Sequence, residues 1–199
     1  MDNPILKAAL WYSQKMGFSV IPMRTDQKRP DLEDWKCWQE KRADEKQIRQ
    51  WWDEKPNANI GIVTGVISKI SVIDIDLSEM NEDEIMDIQE LLPVVETPTV
   101  ISGRGGKHLY FQYNALVPNS NRILGQFNGS KRKIDSKNNG GVIIAPPSII
   151  AGKKYQWQSG LAISKIPIIK LPSSYINIIS RLYTPIVPIS TKEKRNIRF

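Results

Sequence analysis

The stretch "VIDIDLS", residues 72–78, sets the tightest limit on what this chain can become. Its apolar, β-branched run favours an extended strand. Side chains alternate between the two faces of a strand, so Ile73 and Ile75 share one face and Asp74 and Asp76 the other. A strand built to bury both faces would not carry two like charges on one of them. The carboxylates repel, and removing them from water is costly. A divalent cation turns that cost into attraction. Carboxylate oxygens at this spacing suit Mg²⁺ or Mn²⁺, which readily share coordination with phosphates. The plainer alternative is a solvated strand face, or a strand end where Asp76 and Ser78 begin a turn.

A third acid has a similar setting. In "KRKIDSKNNGGVIIAPPS", Asp135 follows Ile134 at the end of a short strand, with Lys131, Arg132, Lys133 and Lys137 around it. Three carboxylates from two strands could hold two cations, an arrangement that supports in-line phosphoryl transfer. An Asp that starts a Gly-rich turn, with "NNGG" as hairpin chemistry, is the competing reading. The only histidine lies between these strands in sequence. "VISGRGGKHLYFQY" reads as strand, glycine-rich loop, strand. Gly103, Gly105 and Gly106 let backbone N–H groups converge on an anion, and Arg104 and Lys107 add positive charge. His108 and Tyr110 share a face, and His108 could donate to a phosphate oxygen. A plain hairpin with a half-exposed His is the alternative.

Charge points the same way. Lys plus Arg outnumber Asp plus Glu by 28 to 21, for a net +7 and a pI near 9.4. An anionic partner is favoured, with nucleic acid the commonest. One cysteine, Cys37, excludes an internal disulfide, and one Cys with one His excludes a Cys/His zinc site. This usage suits a reducing cytoplasm. The N-terminus lacks the basic region and cleavage site of a signal peptide, and no apolar run approaches a membrane span.

Along the chain, "NPILKAALWYSQKMGF" reads as a helix with Asn3 as cap and Pro4 at the first position. "FSVIPM" is a strand, "ADEKQIRQWWDEKP" a helix capped by Asp44, and "NIGIVTG" and "KISVIDIDLS" are strands. "NEDEIMDIQELLP" is an acidic helix. "TPTVIS", "KHLYFQY", "KRKID" and "GVIIAPPS" follow as strands, with "KKYQWQ" as an edge strand. A helix-rich first part and a strand-rich second part give an α+β fold, not a doubly wound one. Residues 1–175 are expected to form one domain. Residues 176–199 read as a short helix and a basic linker towards a downstream region, with a frayed C-terminus as the alternative.

Acid pair, then glycine loop with His, then a single acid on a strand resembles the archaeo-eukaryotic primase superfamily. Within it, the chain resembles the bifunctional DNA primase/polymerase N-terminal domain. The motifs are "DID" at Asp74 and Asp76, "GRGGKHLYF" at His108 and "ID" at Asp135. "ALWYSQKMGFSVIPM", "KRP" with Trp35, "IRQWWDEKPNANIGIVTG" and "GGVIIAPPS" extend the likeness over about residues 5–175. The resemblance implies an RRM-like catalytic sheet packed with an N-terminal αβ module. It also implies template-dependent nucleotidyl transfer, as primase or polymerase, in replication of a plasmid, phage or mobile element. Asp74, Asp76 and Asp135 would hold two Mg²⁺ or Mn²⁺ ions, and no zinc. His108, with Ser102, Arg104, Lys107 and Lys137, would contact the nucleotide. Partners would be a single-stranded DNA template, a primer, nucleoside triphosphates and a helicase domain or protein downstream.

Two rivals stand beside this reading. A metal-dependent nuclease could use "DSK" at Asp135 to Lys137, but leaves the Gly-His loop unexplained. A degenerate module could bind single-stranded nucleic acid without chemistry, but would not need all three acids.

Overall fold

A computed structural model of the chain describes residues 3–78, 81–120 and 133–182. The first helix, α1 (Pro4–Gln14), begins where Asn3 Oδ1 accepts from the N–H groups of Ile5 and Leu6, at 2.9 and 3.2 Å. Pro4 supplies the fixed φ and needs no helical donor there. Strand β1 (Ser19–Met23) follows, then a 3₁₀ turn (Lys36–Gln39) and helix α2 (Glu45–Glu54), capped by Asp44, which accepts from Gln47 N–H at 2.7 Å. Strand β2 (Asn59–Val63) pairs antiparallel with β1 on one side and with β7 (Val142–Ala145) on the other, forming a three-stranded sheet.

The second sheet has five strands: β3 (Ile70–Asp76), β4 (Thr99–Ile101), β5 (Lys107–Gln112), β6 (Lys133–Lys137) and β10 (Gln156–Trp157), in the order β10-β4-β5-β3-β6. All its pairings are antiparallel. Helix α3 (Glu82–Leu91) connects β3 to β4, and helix α4 (Ser173–Leu182) follows the strands. A small hairpin of β8 (Ile149–Ile150) and β9 (Lys153–Lys154) precedes β10. The α+β class is therefore observed. "KKYQWQ" is split between β9 and β10, and only β10 lies at the sheet edge.

The larger sheet is covered differently on its two faces. Ile73 and Ile75 of β3, Leu109 and Phe111 of β5 and Ile134 of β6 pack against Ile88 of α3 and Tyr175 and Ile179 of α4. On the other face, Ile70, Val72, Val100 and Tyr110 join the core built on α1, α2 and the smaller sheet, which includes Tyr12, Ile21, Ile48, Trp52 and Ile62. Trp51 and Trp52 are buried there, and Trp11 is partly buried against the same core. "NNGG" does not close a hairpin. β6 pairs with β3 and β7 with β2, so the turn carries the chain from one sheet to the other. Thr64 anchors it, donating its hydroxyl to Asn138 O at 2.7 Å. No helix among the described residues is long and apolar enough to cross a membrane. The basic stretch predicted beyond residue 182 lies outside the described residues.

Candidate active site

The face that carries Val72 in the core carries Asp74 and Asp76 farther along β3. Burial falls off there: Ile70 and Val72 are fully enclosed, while the Asp74 and Asp76 side chains are 20% and 28% exposed. The register then assembles the site. Asp74 stands opposite His108 on β5 and opposite Asp135 on β6, giving a row His108–Asp74–Asp135 across three adjacent strands. His108 Nε2 lies 3.5 Å from Asp74 Oδ1. Lys137, two residues beyond Asp135 and on the same face, places Nζ 3.5 Å from Asp135 Oδ2. The row lies along a cleft of about 330 Å³, whose other walls include Met23, Val142 and Ile144 of the smaller sheet, with Lys28, Trp35 and Tyr155.

The environments of these groups differ. Burial raises the Asp135 carboxyl; Lys137 pulls it back only in part, and Asp74 and Asp76 push it up further. For Asp76, burial alone would raise the pKa. The Ser78 hydroxyl, donating at 2.6 Å, the Ser78 N–H, Arg104 and Lys28 outweigh burial and hold it below the ordinary range. His108 is almost wholly enclosed. Burial drives its pKa down, Asp74 opposes this, and Lys28 and Lys137 add to it, so the ring is neutral near pH 7. His108 is thus not the half-exposed hairpin residue of the plainer reading.

The glycine loop packs onto the end of β3. A Cβ on Gly106 would lie 2.6 Å from Ile75 O, and one on Gly103 would lie 2.5 Å from Lys153 Cβ. The N–H groups of Ser102 and Gly105 are engaged inside the loop, with Gly106 O and Ser102 O. Arg104 reaches back to Asp76, Nη2 to Oδ2 at 3.4 Å. Lys107 is not brought to the row. Strand alternation turns it to the opposite face, beside Ile75 and Leu109 in an apolar cleft under α3. Sequence reasoning also missed Lys28, although "KRP" lay in view; its place in the cleft depends on long-range folding.

Among the described residues, no three His, Cys, Asp or Glu side chains converge tightly enough to hold a metal ion by themselves. Mg²⁺ seldom uses an all-protein cage; one or two carboxylates, water and substrate phosphates usually suffice. The donor set fits that pattern. Asp74 and Asp135 face each other across one rung, Asp76 follows, and Asp135 Oδ1 is buried without a hydrogen-bond partner among the described residues. A buried, unpartnered carboxylate oxygen is costly, and a cation would relieve that cost.

Fold and site together define an α+β protein with an acidic cleft rimmed by basic side chains between two antiparallel sheets. Comparison with known families narrows the class. The family model described as "Bifunctional DNA primase/polymerase, N-terminal" matches residues 9–173, and the chain belongs to that family. No curated protein matches it.

Proposed function

We propose that this chain catalyses template-dependent nucleotidyl transfer, as a DNA primase or polymerase, with two divalent ions held by Asp74, Asp76 and Asp135. The observation that carries the reading is the His108–Asp74–Asp135 row on three neighbouring strands, facing one cleft. When bound, Mg²⁺ or Mn²⁺ ions would neutralise phosphate charge and activate the attacking hydroxyl. The protein's own groups do the rest. The carboxylates fix where the ions bind. Neutral His108 offers an N–H to a phosphate oxygen, while Arg104 beside Asp76 and Lys137 beside Asp135 supply positive charge. Ser102 holds the loop that presents Arg104. Lys107, on the far face, has no part in this set.

An RRM-like description of the catalytic sheet is supported by the order β4-β5-β3-β6, with α3 linking β3 to β4. Family membership and the +7 charge support a single-stranded DNA template, a primer and nucleoside triphosphates as substrates. The same reading assigns the protein to cytoplasmic replication of a plasmid, phage or other mobile element, with a helicase acting downstream. One experiment separates it from its rivals: end-labelled primer–template incubated with nucleotides and Mg²⁺ or Mn²⁺. Extension supports the reading. Shortening of the labelled strand would favour a nuclease built on the Asp135–Lys137 pair, and binding without either change a non-catalytic module.

A further inference from the structure

We infer that Lys28, from the loop after β1, grips the phosphates of the incoming nucleoside triphosphate. This rests on the nucleotidyl-transfer reading and adds to it a residue from outside the catalytic sheet. Lys28 lines the same cleft as Asp74, His108 and Asp135. Its ammonium lies 5.9 Å from the centroid of the Tyr155 ring, and that ring lies 5.7 Å from the His108 ring. The three side chains therefore form a short file from the loop to the acidic row.

The loop that presents Lys28 is tied down on both sides. Arg24 N–H donates to Arg29 O at 2.9 Å, and Asp31 N–H to Pro22 O at 2.9 Å. Ala151 N–H, at the tip of the β8–β9 hairpin, donates to Thr25 O at 3.0 Å. The ammonium is close enough to bias both Asp76 and His108 electrostatically, yet it forms no ion pair with a carboxylate among the described residues. An aromatic face holds a cation without neutralising it. A compact ammonium with no carboxylate partner among the described residues, beside a metal-compatible acidic row, is suited to a phosphate group bridging the two. A lysine that merely kept the surface wet would need neither the ring beneath it nor the anchored loop.

Equilibrium binding by the whole chain in Mg²⁺ tests this, with dATP, inorganic tripolyphosphate, deoxyadenosine and a single-stranded oligonucleotide as separate probes. Lys28 is exposed, so Lys28→Ala should fold as the wild type does, with an unchanged circular dichroism spectrum. The variant should bind dATP and tripolyphosphate about tenfold more weakly, as for one lost charged contact. Oligonucleotide affinity should stay within about twofold, and Lys28→Arg should recover most of the loss. Wild-type affinity for dATP and tripolyphosphate in Lys28→Ala would overturn the assignment while leaving nucleotidyl transfer intact. An equal loss for the oligonucleotide would also overturn it, moving Lys28 to the template track. A wild-type protein that binds neither dATP nor tripolyphosphate would instead sink the nucleotidyl-transfer reading, and Lys28 with it.

Discussion

Asp74 and Asp135 stand directly opposite each other on β3 and β6, two carboxylates on one rung of an antiparallel pair. Like charges at that position destabilise a sheet unless something lies between them. Asp135→Asn should therefore end nucleotide incorporation and at the same time raise the melting temperature of the metal-free protein. For a chain of this size, about 1 kcal/mol of relieved repulsion corresponds to about 2–4 °C. Differential scanning fluorimetry in EDTA checks it; a lower melting temperature in the folded variant would mean that Asp135 is a structural acid.

The pH dependence of that difference has a definite sign. The folded pKa of Asp135 is raised above the ordinary 3.8, chiefly by burial. Its stabilising contribution is full below the unfolded value and is lost as pH rises through the folded value. The advantage of Asp135→Asn should therefore be small in acid and grow towards neutrality. Asp76, with a lowered pKa, runs the other way: its contribution is present above 3.8 and is lost as pH falls through the folded value. Thermal melts of wild type, Asp135→Asn and Asp76→Asn across that range should fan out in opposite directions.

Metal binding should reverse the apo penalty. Mn²⁺ added to the wild type should raise its melting temperature, and EDTA should restore the starting value. At about 100 times the dissociation constant the gain is about 2.7 kcal/mol. Asp74→Asn and Asp135→Asn should show little or none of it. An equal Mn²⁺ response in all three proteins would remove these acids from the ligand set.

His108 separates substrate contact from support of Asp74. If it touches the triphosphate, His108→Ala should raise the nucleotide KM about tenfold, for a lost contact of about 1.4 kcal/mol. Template affinity and the Mn²⁺ midpoint should hold. Because burial lowers its pKa, the stability it contributes is present above the ordinary 6.5 and is lost as pH falls through the folded value; His108→Gln should flatten that acid limb. A displaced Mn²⁺ midpoint with unchanged nucleotide KM would make His108 a positioning residue for Asp74, 3.5 Å away.

Two neighbouring glycines should fail for different reasons. Gly106→Ala pushes a Cβ to 2.6 Å from Ile75 O, beside Asp76, so it should distort the end of β3 and reduce activity. Gly105 has φ +86 but open space around it. Gly105→Ala should cost about 1–2 kcal/mol of stability for the left-handed backbone and leave the acidic row in place. Melting temperature and incorporation rate, measured on both, should separate them.

Much of this site could be read along the chain because a strand's alternation is local. Asp74 and Asp76 had to share a face, and Ile73 and Ile75 had to face a core. The same rule, applied to the first two residues of β5, would have turned Lys107 away from His108. Pairing was not legible. Neither the Asp74–His108 nor the Asp74–Asp135 rung follows from spacing, because each joins segments separated by loops whose path the sequence leaves open. "NNGG" has hairpin chemistry, yet it bridges two sheets: Val142–Ala145 pairs with β2, and Lys133–Lys137 with β3. Lys28 reaches the cleft only after β1 has docked, so no local pattern announces it.

A template-dependent polymerase adds only the nucleotide that the template specifies. Single-turnover incorporation tests it most directly: four primer–templates differing only in the next template base, each offered one nucleoside triphosphate at a time in Mn²⁺. The complementary nucleotide should be added on each template, and none with Asp74→Asn or Asp135→Asn. Addition regardless of the template base, or primer shortening that the same substitutions abolish, would contradict it.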